Sequence, residues 1–150
     1  FTKWSVEEKE AIGIYEIVFN NSNFKNENYY TNTVPTFVYD ADDDAVTASY
    51  ETATPKSHTE LKTNFIYDLK IEVSHELSKT DWYIIRNIEK STEIPSAVST
   101  HRDLVRTKQA TMETQITNAA DTPALETLYT YTTTDGVKSR PLGELPILEI

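Results

Sequence analysis

Apolar residues recur at two different spacings along the chain, and the change between them divides it near residue 57. Beyond that point the spacing is helical. Leu61, Phe65, Leu69, Val73 and Leu77 return every fourth position with Ile66 beside them, which gathers them on one face of an amphipathic helix of about 20 residues. Ser57 followed by Glu60 has the spacing of a capping box at its start. Thr80 is placed to cap a shorter helix through Trp82, Ile85 and Glu89. Pro95 opens a third, long helix whose buried stripe is Val98, Val105, Met112 and Ile116, and Thr122 before Pro123 starts a fourth with Leu125 and Leu128. Asp135-Gly136 marks a turn between Tyr131 and Val137, after which Pro141 and Pro146 make the tail extended.

Before residue 57 the elements are short. Ser5 and Glu8 form another capping-box pair that predicts a helical turn from Val6 to Ala11, ended by Gly13. Ile14, Tyr15, Ile17, Val18 and Phe19 make a strand-like run, and the Asn-rich stretch from Asn20 to Asn32 reads as a loop. Phe37, Val38 and Tyr39 face Val46 to Tyr50 across an acidic connection, which predicts a hairpin. The fold class is therefore α+β. A β-rich N-terminal lobe with a short helix and a hairpin covers residues 1–56, an antiparallel helical lobe covers 57–140, and 141–150 form an extended tail.

Charge narrows the partners. Among 150 residues, 14 Lys and Arg stand against 24 Asp and Glu, a net charge of -10. Such a surface has little with which to neutralise phosphates, so neither nucleic acid nor an anionic bilayer is an expected partner. No apolar run reaches the length of a membrane span. The absence of Cys removes disulfides, thiolate metal sites and cysteine nucleophiles.

Four patterns could carry chemistry. His101-Arg102-Asp103-Leu104 spells the opening of a protein-kinase catalytic loop, but Lys108 stands where an Asn would hold a metal, and three glycines in the chain leave no Gly-rich loop. The four residues then read as solvent-facing positions on a helix. Asp40, Asp42, Asp43 and Asp44 offer hard oxygen ligands, yet the sixth position of a calcium loop lacks its Gly and the twelfth, Glu51, falls in a strand. An acidic hairpin tip is the expectation. His58, His75 and His101 lack the spacing of a zinc motif and are expected at the surface. No Gly-x-Ser-x-Gly elbow is present. The reading is of a protein that is not an enzyme and needs no cofactor.

Contact surfaces are the better signal. Tyr29 and Tyr30 sit side by side in a polar loop that offers no evident place to bury both rings, so they are expected to meet a partner. In the tail, Leu142, Leu145, Ile147, Leu148 and Ile150 are apolar, while Pro141, Gly143 and Pro146 forbid a helix that would gather them. They are expected to dock on a neighbouring subunit, and their removal is expected to leave the domain itself stable.

Thr80-Asp81-Trp82, then Arg86, Glu89, Ile94-Pro95, Val98 and the Arg102 to Arg106 pair resemble a module shared by bacteriophage tail and tail-fibre assembly proteins. In that module a Thr/Ser-Asp-Trp helix is followed, after an Ile-Pro turn, by an Arg-bearing helix. The similarity spans residues 80–106; His101 replaces the usual Tyr or Trp before the first Arg, and the Gly usual between Glu89 and Ile94 is missing. A looser likeness to tail-region proteins of marine phages runs through Trp4, Glu7-Glu8, Gly13-Ile14-Tyr15 and the hairpin ending at Tyr50. The resemblance implies a virion structural protein of the tail region, made in the host cytoplasm and bound to tail or fibre proteins, with self-association as a further route. A fibre-assembly chaperone that leaves the particle is the alternative, and a small His-using hydrolase a more distant one. Physically, Trp82 is expected to bury its indole between two helices, Arg86 and Glu89 to pair at i, i+3, and Arg102 or Arg106 to reach Asp81 or Glu89 across the turn, which would lock a helical hairpin in register.

Overall fold

The computed structural model describes residues 4–42 and 45–148. The chain divides between Lys56 and Ser57 into two units, and the class is α+β.

In the first unit, the Ser5 hydroxyl accepts the Glu8 N–H at 3.2 Å while the Ser5 N–H donates to the Glu8 carboxylate at 2.8 Å. This reciprocal cap starts α1 (Val6–Glu10). The strands β1 (Glu16–Asn20), β2 (Tyr30–Thr31), β3 (Thr36–Asp40), β4 (Ala45–Ser49) and β5 (Thr54–Pro55) follow. β3 and β4 form the expected hairpin, antiparallel with Phe37 opposite Ala48 and Tyr39 opposite Val46. Of its acidic tip, Asp43 and Asp44 lie outside the described residues.

The pairing of β1 is less local. It lies parallel to β4, with Ile17 beside Val46 and Phe19 beside Ala48, so β4 is central in the order β1-β4-β3. A parallel pair needs a crossover; here it is residues 21–44, which carry β2 and β3. Ala48 is fully buried, whereas β1 and β3 are exposed throughout.

The Asn-rich loop does bury its two tyrosines, contrary to the sequence expectation. Tyr29 and Tyr30 are 6% and 3% exposed. The N–H groups of both donate to the Asn26 carbonyl, β2 pairs with β5 so that Tyr30 lies opposite Pro55, and the Lys56 N–H donates to the Tyr29 carbonyl. Asn32 grips the Lys25 backbone at both its N–H and its C=O, and the Lys25 ammonium lies 4.7 Å from the centre of the Tyr30 ring. The loop closes on itself through side-chain amides, a device that hydrophobic periodicity does not reveal. The pair is core, not a free partner surface.

The second unit begins with α2 (His58–Ser78), capped by Ser57, followed by α3 (Asp81–Lys90), α4 (Ser96–Asn118) and α5 (Thr122–Tyr129). α2 packs Leu61, Leu69 and Val73 along α4, which buries Val98, His101, Val105, Met112 and Ile116. α5 adds Leu125, and its first turn is closed by the Asp121 carboxylate, which accepts the Ala124 N–H at 2.8 Å. A hairpin of β6 (Thr132–Thr134) and β7 (Val137–Ser139) then turns through Asp135 and Gly136, both at positive φ. That conformation is the one a two-residue turn demands.

The tail belongs in part to this core. Leu142 is 1% exposed, its N–H donates to the Leu128 carbonyl, and the Gln115 amide reaches the Pro141 carbonyl at 3.3 Å. Gly143, with φ of 75°, completes the bend, and a Cβ there would meet the Lys108 ammonium. The expectation that Leu142 is offered to a neighbouring subunit is therefore corrected. A single buried Leu anchors the segment, because the bend at 140–143 turns it back onto α4 and α5.

Candidate functional site

The corner between α2, α3 and α4 holds most of the residues that the sequence singled out. Arg102 on α4 extends to the end of α2, where one guanidinium nitrogen donates to the Leu77 carbonyl at 2.8 Å, the Thr80 hydroxyl at 2.7 Å and the Asp81 carboxylate at 2.8 Å. Thr80 is 1% exposed and donates its own hydroxyl back to the Leu77 carbonyl. It makes no side-chain cap on α3, so the expected N-cap is instead a buried strut. The pairing across the turn is thus between Arg102 and Asp81. Arg106 pairs with Asp103 on the surface at 3.4 Å instead, and among the described residues no ion pair joins Arg86 to Glu89, both of which are exposed.

One turn before this strut lies a second polar group. Glu76 on α2 accepts from Lys79, and its other oxygen lies 3.3 Å from His101 Nε2, without hydrogen-bond alignment. His101 is 5% exposed. The expectation of a surface histidine fails because its position continues the α4 stripe, three residues after Val98 and four before Val105, a signal present in the sequence but outweighed there by residue type. Arg102, expected in solvent, is likewise drawn inward by the carbonyl at the end of α2. The Glu76 carboxyl is held below its ordinary range chiefly by the hydrogen bond from Lys79, with the charges of Lys79 and His101 adding and burial opposing. A carboxylate whose folded pKa is depressed contributes stability above its unfolded pKa, and that contribution is lost as pH falls through the folded value. Acid titration of the unfolding free energy should accordingly show a decline below the ordinary carboxylate range that is shallower in Glu76→Gln.

α3 presents two faces. Tyr83, Ile84 and Asn87 turn partly inward, while Trp82, Ile85 and Ile88 form an outer stripe that is 49%, 54% and 77% exposed. Trp82 is therefore not buried between helices. Its ring lies against Tyr83 at 3.7 Å between centroids, with the Arg86 guanidinium 5.9 Å from its own. A stripe at i, i+3 and i+6 is apolar on a helix only ten residues long, so the period alone permits either face to point inward. Since half the indole is already wet, Trp82→Ala should cost about 2 kcal/mol or less, not the ~3–5 of a buried Trp; thermal denaturation measures it. The end of α3 is fixed as well. Ser91 caps it in a left-handed conformation, and the Asn87 amide donates to the Thr92 carbonyl at 2.8 Å.

The remaining tail residues run past α4. Leu145 and Leu148 are half-buried, Ile147 is 84% exposed, and Ile150 lies outside the described residues. Pro146, Ile147 and Leu148 border a shallow depression of about 320 Å³ with Thr100, His101 and Leu104. Nearer the hairpin, Arg140 lies over Tyr129 and Tyr131 and donates to Glu144 at 2.9 Å.

Among the described residues no group of three or more His, Asp or Glu is placed to hold a metal ion, and no helix is long and apolar enough to cross a membrane. What this corner offers is a short helix, tethered at its two ends, whose outer face is apolar. In comparisons with known proteins, the chain matches no family model, no curated protein and no solved structure.

Proposed function

We propose that this chain is a non-enzymatic structural protein of a bacteriophage tail, which docks onto tail or fibre subunits through its helical unit. The observation that carries the reading is the outer stripe of α3. Three large apolar side chains stand in water on a helix whose start is pinned by Arg102 and whose end is pinned by Asn87 and Ser91. Exposed apolar groups on a preorganised element lose little entropy when a partner covers them, which suits a stable protein interface. Trp and Arg together, here Trp82 beneath Arg86, are also the residue types that most often dominate binding energy. The resemblance of residues 80–106 to phage tail and fibre assembly proteins supplies the biological setting, and the same residues build the corner from which α3 projects. Ile147, exposed beside α4, extends the apolar surface available on this unit.

Virion component and assembly chaperone differ in what remains after assembly. Quantitative mass spectrometry of purified particles should find the chain at a fixed copy number relative to the other tail proteins. Its absence from infectious particles would transfer the reading to a chaperone.

A further inference from the structure

A cavity in the helical unit gathers groups that the α3 stripe does not use. It has a volume of about 230 Å³ and is bounded by α2, α4, α5 and the bend at 140–143. Leu69, Met112 and Leu142 line it and are almost wholly buried, which makes them its floor. Phe65 and Tyr129 form an aromatic wall, their ring centres 4.6 Å apart, and the Arg140 guanidinium stands 5.4 Å from the centre of the Tyr129 ring.

Asp68 and Glu72 supply the rim. Both are exposed, and they stand four residues apart on α2, a spacing at which like charges repel. No Lys or Arg lies three or four residues from either along the helix. Among the described residues neither carboxylate joins an ion pair, whereas the charge of Arg140 is already matched by Glu144 at 2.9 Å. The mouth of the cavity is therefore net negative and its floor apolar. A mostly apolar cleft with a few placed polar groups is the usual form of a small-molecule site, and since a cavity of about 150 Å³ holds a benzene ring, this one has room for an alkyl chain of about six carbons.

We propose that the cavity binds a small amphipathic amine, which enters alkyl end first. The chain covers Leu69, Met112 and Leu142 beside the Phe65 and Tyr129 rings, and the ammonium stays at the rim, where it relieves the repulsion between Asp68 and Glu72. A lysine side chain presented by a protein would enter in reverse, with its ammonium leading onto the apolar floor, where an unpaired charge is costly. The ligand is accordingly a free amine. The site is separate from the α3 stripe, and the inference does not rest on the tail reading.

Met112 is the only methionine in the chain, so an isotope-labelled methionine methyl group gives a single NMR resonance from the cavity floor. Hexylammonium chloride titrated into the full chain should move that resonance saturably at millimolar concentration, ammonium chloride at equal ionic strength should not, and hexanol should bind about tenfold more weakly. In Asp68→Asn/Glu72→Gln, whose exposed positions leave the melting temperature unchanged, hexylammonium affinity should fall about tenfold while hexanol affinity stays the same. Equal affinity for hexanol and hexylammonium in the unmodified chain would overturn the inference, as would unchanged hexylammonium affinity in the double variant. A Met112 resonance that does not respond to hexylammonium would also overturn it, and an N-acetyl-lysine amide that binds as tightly as hexylammonium would contradict the orientation and the free amine with it.

Discussion

Leu142→Ala will destabilise the helical unit by about 2–5 kcal/mol, the range for removing a fully buried Leu and leaving a cavity. Leu142 is 1% exposed and lines one depression with Leu69 of α2, Met112 of α4 and Tyr129 of α5. Its backbone is held as firmly as its side chain, by the Leu128 carbonyl and by the bend that closes from Gly143 N–H to the Arg140 carbonyl at 2.9 Å. Neither contact can follow a shrinking side chain inward without breaking, so the cavity should persist and the cost should lie well inside the range. Denaturant unfolding monitored by helical circular dichroism measures it. The contrast is Ile147→Ala, which removes a side chain that is 84% exposed and should change stability by about 0.5 kcal/mol or less. A neutral Leu142→Ala would return the whole tail to the role of a free docking arm.

Arg102→Ala should cost about 2–3 kcal/mol, and the cost should come from α2's end more than from the ion pair. The guanidinium side chain is 11% exposed, and two of its three acceptors, the Leu77 carbonyl and the Thr80 hydroxyl, lie inside the corner. Charged hydrogen bonds of this kind contribute about 1.5–3 kcal/mol; the Leu77 carbonyl keeps the Thr80 hydroxyl and N–H as donors, while the Thr80 oxygen loses the charged donor it accepts from. Asp81, by contrast, is 54% exposed, and an ion pair in contact with water is worth at most about 1 kcal/mol. Asp81→Asn should therefore be nearly silent where Arg102→Ala is not. Equal effects of the two substitutions in thermal melts would show that the salt bridge itself, not the capping of the helix end, holds the corner.

The helices are legible in the sequence because their signals are local. Ser57, Pro95 and Asp135-Gly136 act within a few residues, and the four-residue recurrence from Leu61 to Leu77 leaves one face to bury. The hairpin of β3 and β4 is equally local. The partner of β1 is not: an apolar run specifies that a strand will pair but not with which neighbour, and β4 enters its parallel ladder only after a crossover of two dozen residues. The burial of Tyr29 and Tyr30 is hidden for a related reason, since it depends on β5 closing against β2, more than 20 residues downstream. At the candidate site, the reach of Arg102 to Asp81 could be anticipated from charge and turn length. The side on which Trp82 falls could not, because a helix of ten residues with apolar groups on both faces has no unique buried side. Leu142 is expected on a neighbouring subunit with the rest of the tail, because an extended, Pro-flanked segment has no period by which one anchored residue can be told from its free neighbours.

Separating docking from folding decides the central proposal. The measurement is the copy number of Ile85→Ser/Ile88→Ser in purified particles assembled in cells that supply only this variant. Both side chains are exposed, 54% and 77%, so the melting temperature of the variant should match that of the unmodified chain. The predicted result is a folded protein that is missing from the particles. Incorporation at the unmodified copy number would contradict α3 as the docking surface.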